Sequence, residues 1–154
     1  MSRRELIKMT PDEVDAFLHG PRTMNLATHN HDGTIHLVAM WYGFLPDGTI
    51  GFETFARSQK VQNLRRDARI TALVEAGDKY ENLQGVELVG TMEITDDHDT
   101  LYTIALSVLE RYHPEVSDAD RHAAAEMVIN KRVAMLLRPT KTVSWDHTKL
   151  GGTY

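Results

Sequence analysis

Apolar positions repeat at two residues in short runs at both ends of the chain. They repeat at helical spacing between residues 97 and 131. Thr10-Pro11-Asp12-Glu13 predicts a helix start: Thr10 caps, Pro11 fits the first helical position and Glu13 completes a capping box. Val14, Phe17 and Leu18 share one face of that helix, and Gly20-Pro21 ends it. Three strand-like segments follow, at 22–29, 34–45 and 49–55, with turns at His31-Asp32-Gly33 and Pro46-Asp47-Gly48. Asp-Gly between apolar runs predicts that these strands are antiparallel neighbours. Ser58 to Asp67 reads as a short helix capped by Ser58, and 69–76 and 85–95 as two further strands.

In the helical stretch Leu101, Ile104, Ala105, Val108, Leu109 and Tyr112 line one face until Pro114 breaks the pattern. Ser117-Asp118-Ala119-Asp120 starts a second helix, with Ala123, Ala124, Met127 and Val128 expected on its inner face. Residues 132–138 form an unbroken apolar run inside two arginines, which suits a buried strand, and 141–146, after Pro139, a last one. About seven antiparallel strands with inserted helices predict a mainly β protein, a barrel rather than a doubly wound sheet. The two- and three-residue turns are too short for parallel crossovers. No repeat or linker divides the chain, so 1–154 reads as one domain with a helical insert at 97–131.

Composition narrows the classes. Apolar residues make up 42% and charged residues 25%, ordinary values for a globular chain. A net charge of −5 gives no overall attraction for nucleic acid or anionic lipid. The absence of cysteine removes disulfides, thiol catalysis and thiolate zinc sites. No apolar run has signal-peptide or bilayer-spanning length, so the expectation is a cytoplasmic protein without a membrane partner.

Three segments carry candidate chemistry. In 35–42, Leu37, Ala39 and Trp41 fall on one strand face and Val38, Met40 and Tyr42 on the other, so both faces need an apolar cover. Inserted helices, a partner subunit or a flat cofactor could each supply it. The segment 57–69 sets five basic residues against one acid. It is either a solvated basic helix or an anion site, with Ser58 and Lys60 at a helix N-terminus. Lys60 sits in the first turn, where a cation opposes the helix dipole. The tail, with Trp145, Lys149 and Tyr154 around Gly151-Gly152, is either a frayed end or an arm closing over a neighbour's site. His29 and His31 lack an evident third ligand, so no metal is expected. His36, Tyr42 and His147 are candidate proton donors, and no catalytic side chain is assigned.

Ala27-Thr28, Asp32-Gly33-x-x-His36, the block from Arg57-Ser58-x-Lys60 through Asn63-Leu64-Arg65-Arg66-Asp67, and Ser144-Trp145-Asp146 resemble one family. It is the pyridoxamine-phosphate-oxidase-like, FMN-binding split-barrel family, and the similarity is greatest to its branch of F420-dependent reductases. The resemblance implies an antiparallel split β-barrel, a homodimer, and a cofactor at the subunit interface. It places Ser58, Lys60 and Asn63 at the cofactor's phosphate and the backbone of Val38, Ala39, Met40 and Trp41 beside its rings. Arg57, Arg66, Trp145 and Lys149 are further cofactor-binding candidates. Basic residues nearby can meet the polyglutamate tail of F420, although Arg57, Arg65 or Arg66 could instead pair with Asp67 or Glu53.

The implied reaction is hydride transfer from reduced F420 to an electron-poor small molecule. An FMN-dependent oxidoreductase and a non-catalytic cofactor, haem or lipid binder are the alternatives. The oxidases proper end in an Arg-Leu-Ala-Pro-like sequence. This chain ends Leu150-Gly151-Gly152-Thr153-Tyr154, which argues against vitamin B6 oxidation. Residues 97–131 are a lid or dimer packing.

Overall fold

A computed structural model describes residues 2–152. The expectation placed on Tyr154 lies outside the described residues. Helices α1 (Arg3–Leu6) and α2 (Pro11–His19) precede β1 (Met24–His29), β2 (Ile35–Met40), β3 (Gly43–Phe44) and β4 (Ile50–Phe55). Helix α3 (Gln59–Arg66) leads to β5 (Arg69–Ala76) and β6 (Gln84–Thr95). Helices α4 (His98–Tyr112) and α5 (Asp118–Val128) then separate β6 from β7 (Arg132–Asp146).

Local signals explain the first elements. The Thr10 hydroxyl accepts from the Glu13 amide at 3.2 Å, and the Thr10 amide donates to the Glu13 carboxylate at 2.7 Å. Ser2 and Glu5 form a second capping box that starts α1, a helix the sequence reading did not anticipate. Gly33 and Gly48 both adopt φ of +86°, as the two Asp-Gly turns require.

The strands form one antiparallel sheet in the order β2-β1-β5-β6-β7-β4-β3. Its two edges, β2 and β3, are consecutive in the chain and joined only by Trp41-Tyr42. Three extended Cα steps reach about 11 Å, whereas a flat seven-stranded sheet is about 29 Å wide. The sheet must therefore curl into a half-barrel whose edges are linked by chain, not by a ladder.

That break corrects the expected continuous strand 34–45. Its first half pairs with β1, from Met40 against Met24 to Ile35 against His29. Its second half contributes only Gly43 and Phe44, which pair with Gly51 and Ile50. A Cβ at Gly43 would lie 2.9 Å from Ser107, so the chain turns where α4 comes too close for a side chain. The opposite correction applies at the end of the chain: 132–138 and 141–146 are one strand, β7. Pro139 lies opposite Gly90, beside a register shift in the β6–β7 ladder, where an extra residue is accommodated without ending the strand.

The run Val133–Leu137 is buried on both sides. Val133, Met135 and Leu137 face the main core with Met24, Leu26, Phe52 and Val86. Ala134 and Leu136 face the other way, beneath Leu101, Ile104 and Ala105 of α4. The expected apolar face of α4 is thus the one that packs. The expected inner face of α5 holds only in part: Val128 packs on the core beside buried Ala125 and Ile129, whereas Met127 is 79% exposed. Alanine-rich patterning left the helix phase weakly defined.

Candidate functional site

At the split, Ala39, Met40 and Trp41 face Glu53 and Thr54 of β4 and Arg132 of β7 across a groove of about 390 Å³. Arg132 forms an ion pair with Glu53. Its Nε is nevertheless buried without a hydrogen-bond partner. The Ala56 amide donates to the Lys131 carbonyl at 3.0 Å, which ties the approach to α3 to the start of β7.

Helix α3 begins there. Ser58 occupies its N-cap position, but its hydroxyl makes no capping bond and is buried without a partner. Lys60, expected to face solvent, is only 9% exposed, and no hydrogen bond or ion pair holds its ammonium among the described residues. Burial, reinforced by Arg132 and opposed by Glu53, holds the Lys60 ammonium below the ordinary lysine pKa. Burial likewise raises the Glu53 carboxyl, against the attraction of Arg132 and Lys60. Two cations and one anion thus share a partly desolvated site. One positive charge is uncompensated, and the Ser58 hydroxyl and Arg132 Nε remain unused. Such a site suits an anion with several acceptor oxygens.

The other candidate residues divide. Val38 and Met40 turn toward the main core, while Ala39 and Trp41 are on the outer face. Asn63 is fully buried, and its amide donates to Thr28 and Asn30 at 3.1 and 2.9 Å. Its carbonyl accepts from Gln59 and Arg66, so Asn63 locks α3 against β1. Arg66 also donates to the His29 carbonyl at 2.6 Å, and Arg57 is exposed. The carboxylates weighed as partners for Arg57, Arg65 or Arg66 pair elsewhere: Asp67 with Arg69, and Glu53 with Arg132.

Trp145 and Lys149 lie at the far end of β7, away from the groove-lining residues of the same chain. A side chain at Gly85 would collide with the Trp145 ring, and Lys149 bonds the Lys8 carbonyl and Glu13. Residues His147–Leu150 form a 3₁₀ turn rather than a frayed end. Tyr42 is buried with its hydroxyl donated to the Leu18 carbonyl, and burial pushes its pKa up to about 12, which is unsuited to proton donation near neutrality. His147 is engaged with the Tyr80 carbonyl. Among the described residues no group of three or more His, Asp or Glu is placed to hold a metal, and no helix is long and apolar enough to cross a membrane.

Glu53, Arg132 and Tyr112, which stacks on Trp41, were not among the site residues expected from sequence, although Glu53 was weighed as an ion-pair partner and Tyr112 as a packing residue. Arg132 had a partial signal, as a charge opening an otherwise apolar run. Glu53 and Tyr112 had none, because their roles depend on partners 79 and 71 positions away, respectively.

An antiparallel half-barrel with an anion-suited seam beside its split defines a class of cofactor-binding folds. The profile of the pyridoxamine 5′-phosphate oxidase family matches residues 10–146, and the chain belongs to that family. A conserved hypothetical protein from Mycobacterium tuberculosis is 41% identical, with all of this chain and 95% of that one covered at a TM-score of 0.91. A structure described as an F420 reductase is 26% identical over 83% of this chain and 94% of its own, at a TM-score of 0.61. A haem storage protein from Vibrio cholerae shares the fold at 11% identity and a TM-score of 0.66, with coverage of 87% and 94%.

Proposed function

We propose that this protein is an F420-dependent oxidoreductase, acting as a homodimer with the cofactor in the seam at Trp41, Glu53, Lys60 and Arg132. The observation that carries the reading is Lys60. A lysine nine-tenths buried, without an ion-pair partner and beside an arginine, is costly in an empty fold and useful for holding a phosphate. Ser58 and Arg132 offer the further donors, and all three fit a phosphate-bearing cofactor.

The similarity to an F420 reductase favours the deazaflavin. A second groove, of about 590 Å³, shares Arg132 and adds Arg65 and Lys131 against one acid, Asp96, a net basic lining suited to an acidic tail. FMN is the second reading, since its phosphate would meet the same three donors. The bound cofactor supplies two-electron hydride chemistry. The chain's residues hold the phosphate, orient the rings against the β2 edge and limit water at the split.

The proposal of a second copy rests on the outer face of β2. Ile35 is 55% exposed and Leu37 67%, with Phe55 of β4 exposed as well. This apolar face needs a cover, and a symmetric partner buries it on both chains at once.

Titration of intrinsic tryptophan fluorescence tests the cofactor. F420 is expected to bind at micromolar concentration or tighter, and FMN more weakly. Lys60→Ala should weaken F420 by about 10- to 150-fold, the loss of one charge-assisted hydrogen bond. Unchanged binding would remove Lys60 from the site, while equal or reversed affinities would shift the assignment to FMN.

A further inference from the structure

The last turn of α4 reaches the split in the half-barrel. Tyr112 stacks on Trp41 with ring centroids 4.7 Å apart and planes 5° from parallel, and His113 meets the same indole edge-on at 5.4 Å. The Tyr112 hydroxyl donates to the Arg22 carbonyl at 2.5 Å and receives the Tyr42 amide at 3.5 Å. Arg111 donates to the carbonyls of Tyr42, His19 and Gly20 at 2.9, 3.0 and 3.1 Å. The Trp41-Tyr42 link is therefore held by one helix end. Packing of α4 against the sheet, through Leu101, Ile104, Ala105 and Val108, does not require these contacts.

Trp41 remains 45% exposed and lines the groove beside Arg132. Tyr112 occupies one face of the indole, so the opposite face is the one free to receive a ligand.

We infer that Tyr112 is a positioning residue that holds Trp41 as a flat wall of the groove. The wall selects a planar, conjugated anion, stacked on the indole with its charge toward Arg132. The inference rests on the groove being a ligand site, and it assigns the helical insert a role in ligand shape. The cofactor's ring and a planar acceptor share this chemistry.

The test uses the Trp145→Phe protein, in which Trp41 is the single tryptophan. Anthraquinone-2-sulfonate is the flat probe, cyclohexanesulfonate the puckered one, and inorganic pyrophosphate reads the Lys60 site. Loss of an aromatic pair should weaken the flat probe by about 2- to 12-fold in Tyr112→Leu. Tyr112→Phe should restore it, and pyrophosphate should bind both variants alike. Repeating the titration with saturating F420 separates the sources: retained binding identifies an acceptor position, and lost binding the cofactor's own ring. Equal affinity of the flat probe for Tyr112→Leu and its parent would overturn the inference, as would equal binding of flat and puckered probes. If Tyr112→Leu fails to fold, Trp41→Ala read by calorimetry must show the same selective loss. Pyrophosphate binding that survives Lys60→Ala would instead count against the anion site, independently of the wall.

Discussion

Strand β2 and the first half of β7 share a sequence signature, apolar residues at consecutive positions, yet they occupy opposite surroundings. Val133–Leu137 is covered on one side by the main core and on the other by α4. The corresponding outer residues of β2, Ile35 and Leu37, are 55% and 67% exposed among the described residues. The chain inserts two helices before β7 and only a five-residue connection, 30–34, before β2. A two-faced apolar strand therefore specifies that a second cover exists, while the neighbouring connection decides whether the chain supplies it. The covered side is committed to stability. The split side keeps exposed apolar surface, an unpaired buried lysine and two unsatisfied polar atoms, features that cost stability and suit binding.

The largest expected effect lies on the covered side. Leu136→Ala should cost about 2–5 kcal/mol in urea unfolding, because it opens a cavity between β7 and α4. Leu37→Ala, at an exposed position, should change the unfolding free energy of the dilute chain by less than about 0.5 kcal/mol. Equal costs would erase the contrast between the two strands.

Next in size is an effect on assembly. Leu37→Asp places a charge in the uncovered face and should weaken dimerisation by about tenfold or more, about 1.4 kcal/mol. Light scattering at micromolar concentration should give twice the 17.4 kDa chain mass for the wild type, shifting toward one chain for the variant. A wild type that scatters as one chain would leave the β2 face without its proposed partner.

The smallest effect runs in the opposite direction. Lys60→Met keeps the aliphatic stem and removes the buried charge, so it should stabilise the ligand-free protein by about 0.5–2 kcal/mol. Because burial lowers the folded-state pKa of Lys60, the folded state gives up this proton more readily than the unfolded chain. The charged lysine therefore opposes folding below the lowered value. Wild-type stability regains that loss as pH climbs from there toward the ordinary lysine pKa. The difference between wild type and variant should shrink as pH rises from the lowered value toward the ordinary lysine pKa. A variant less stable than wild type across that range would mark Lys60 as a structural residue.

Features with local causes were legible in the sequence. Thr10 and Glu13 satisfy each other within one turn, and each Asp-Gly pair closes a turn with its own backbone. The location of Ser58 and Lys60 at a helix start was equally local. Their burial was not, because it depends on Glu53 and on Arg132, which belongs to a strand beyond the insert. The break after Met40 was hidden by apolar residues on both sides, although Gly43 marked the close approach of α4. Pro139 misled for a related reason: proline ends a strand unless a bulge accommodates it, and β7 carries one extra residue, Thr140, opposite the Val89–Gly90 step of β6. Gly90 tolerates no side chain there, since a Cβ would fall 2.1 Å from the Arg138 carbonyl oxygen.

The strand order also constrains how the chain can assemble during synthesis. The β3–β4 hairpin joins the sheet only through β7, the last strand to leave the ribosome. Until then the outer edge of β4 has no ladder partner, and Phe52 and Ile50 await a core completed by Val133 and Met135. The hairpin must wait while some 75 further residues are made, exposing an apolar edge to other nascent chains. Helices α4 and α5 are made during that interval, and in the folded chain α4 packs on β3 and β4. On this account the insert covers one apolar face of the waiting hairpin, and its deletion should lower the yield of native protein more than it lowers the stability of what does fold.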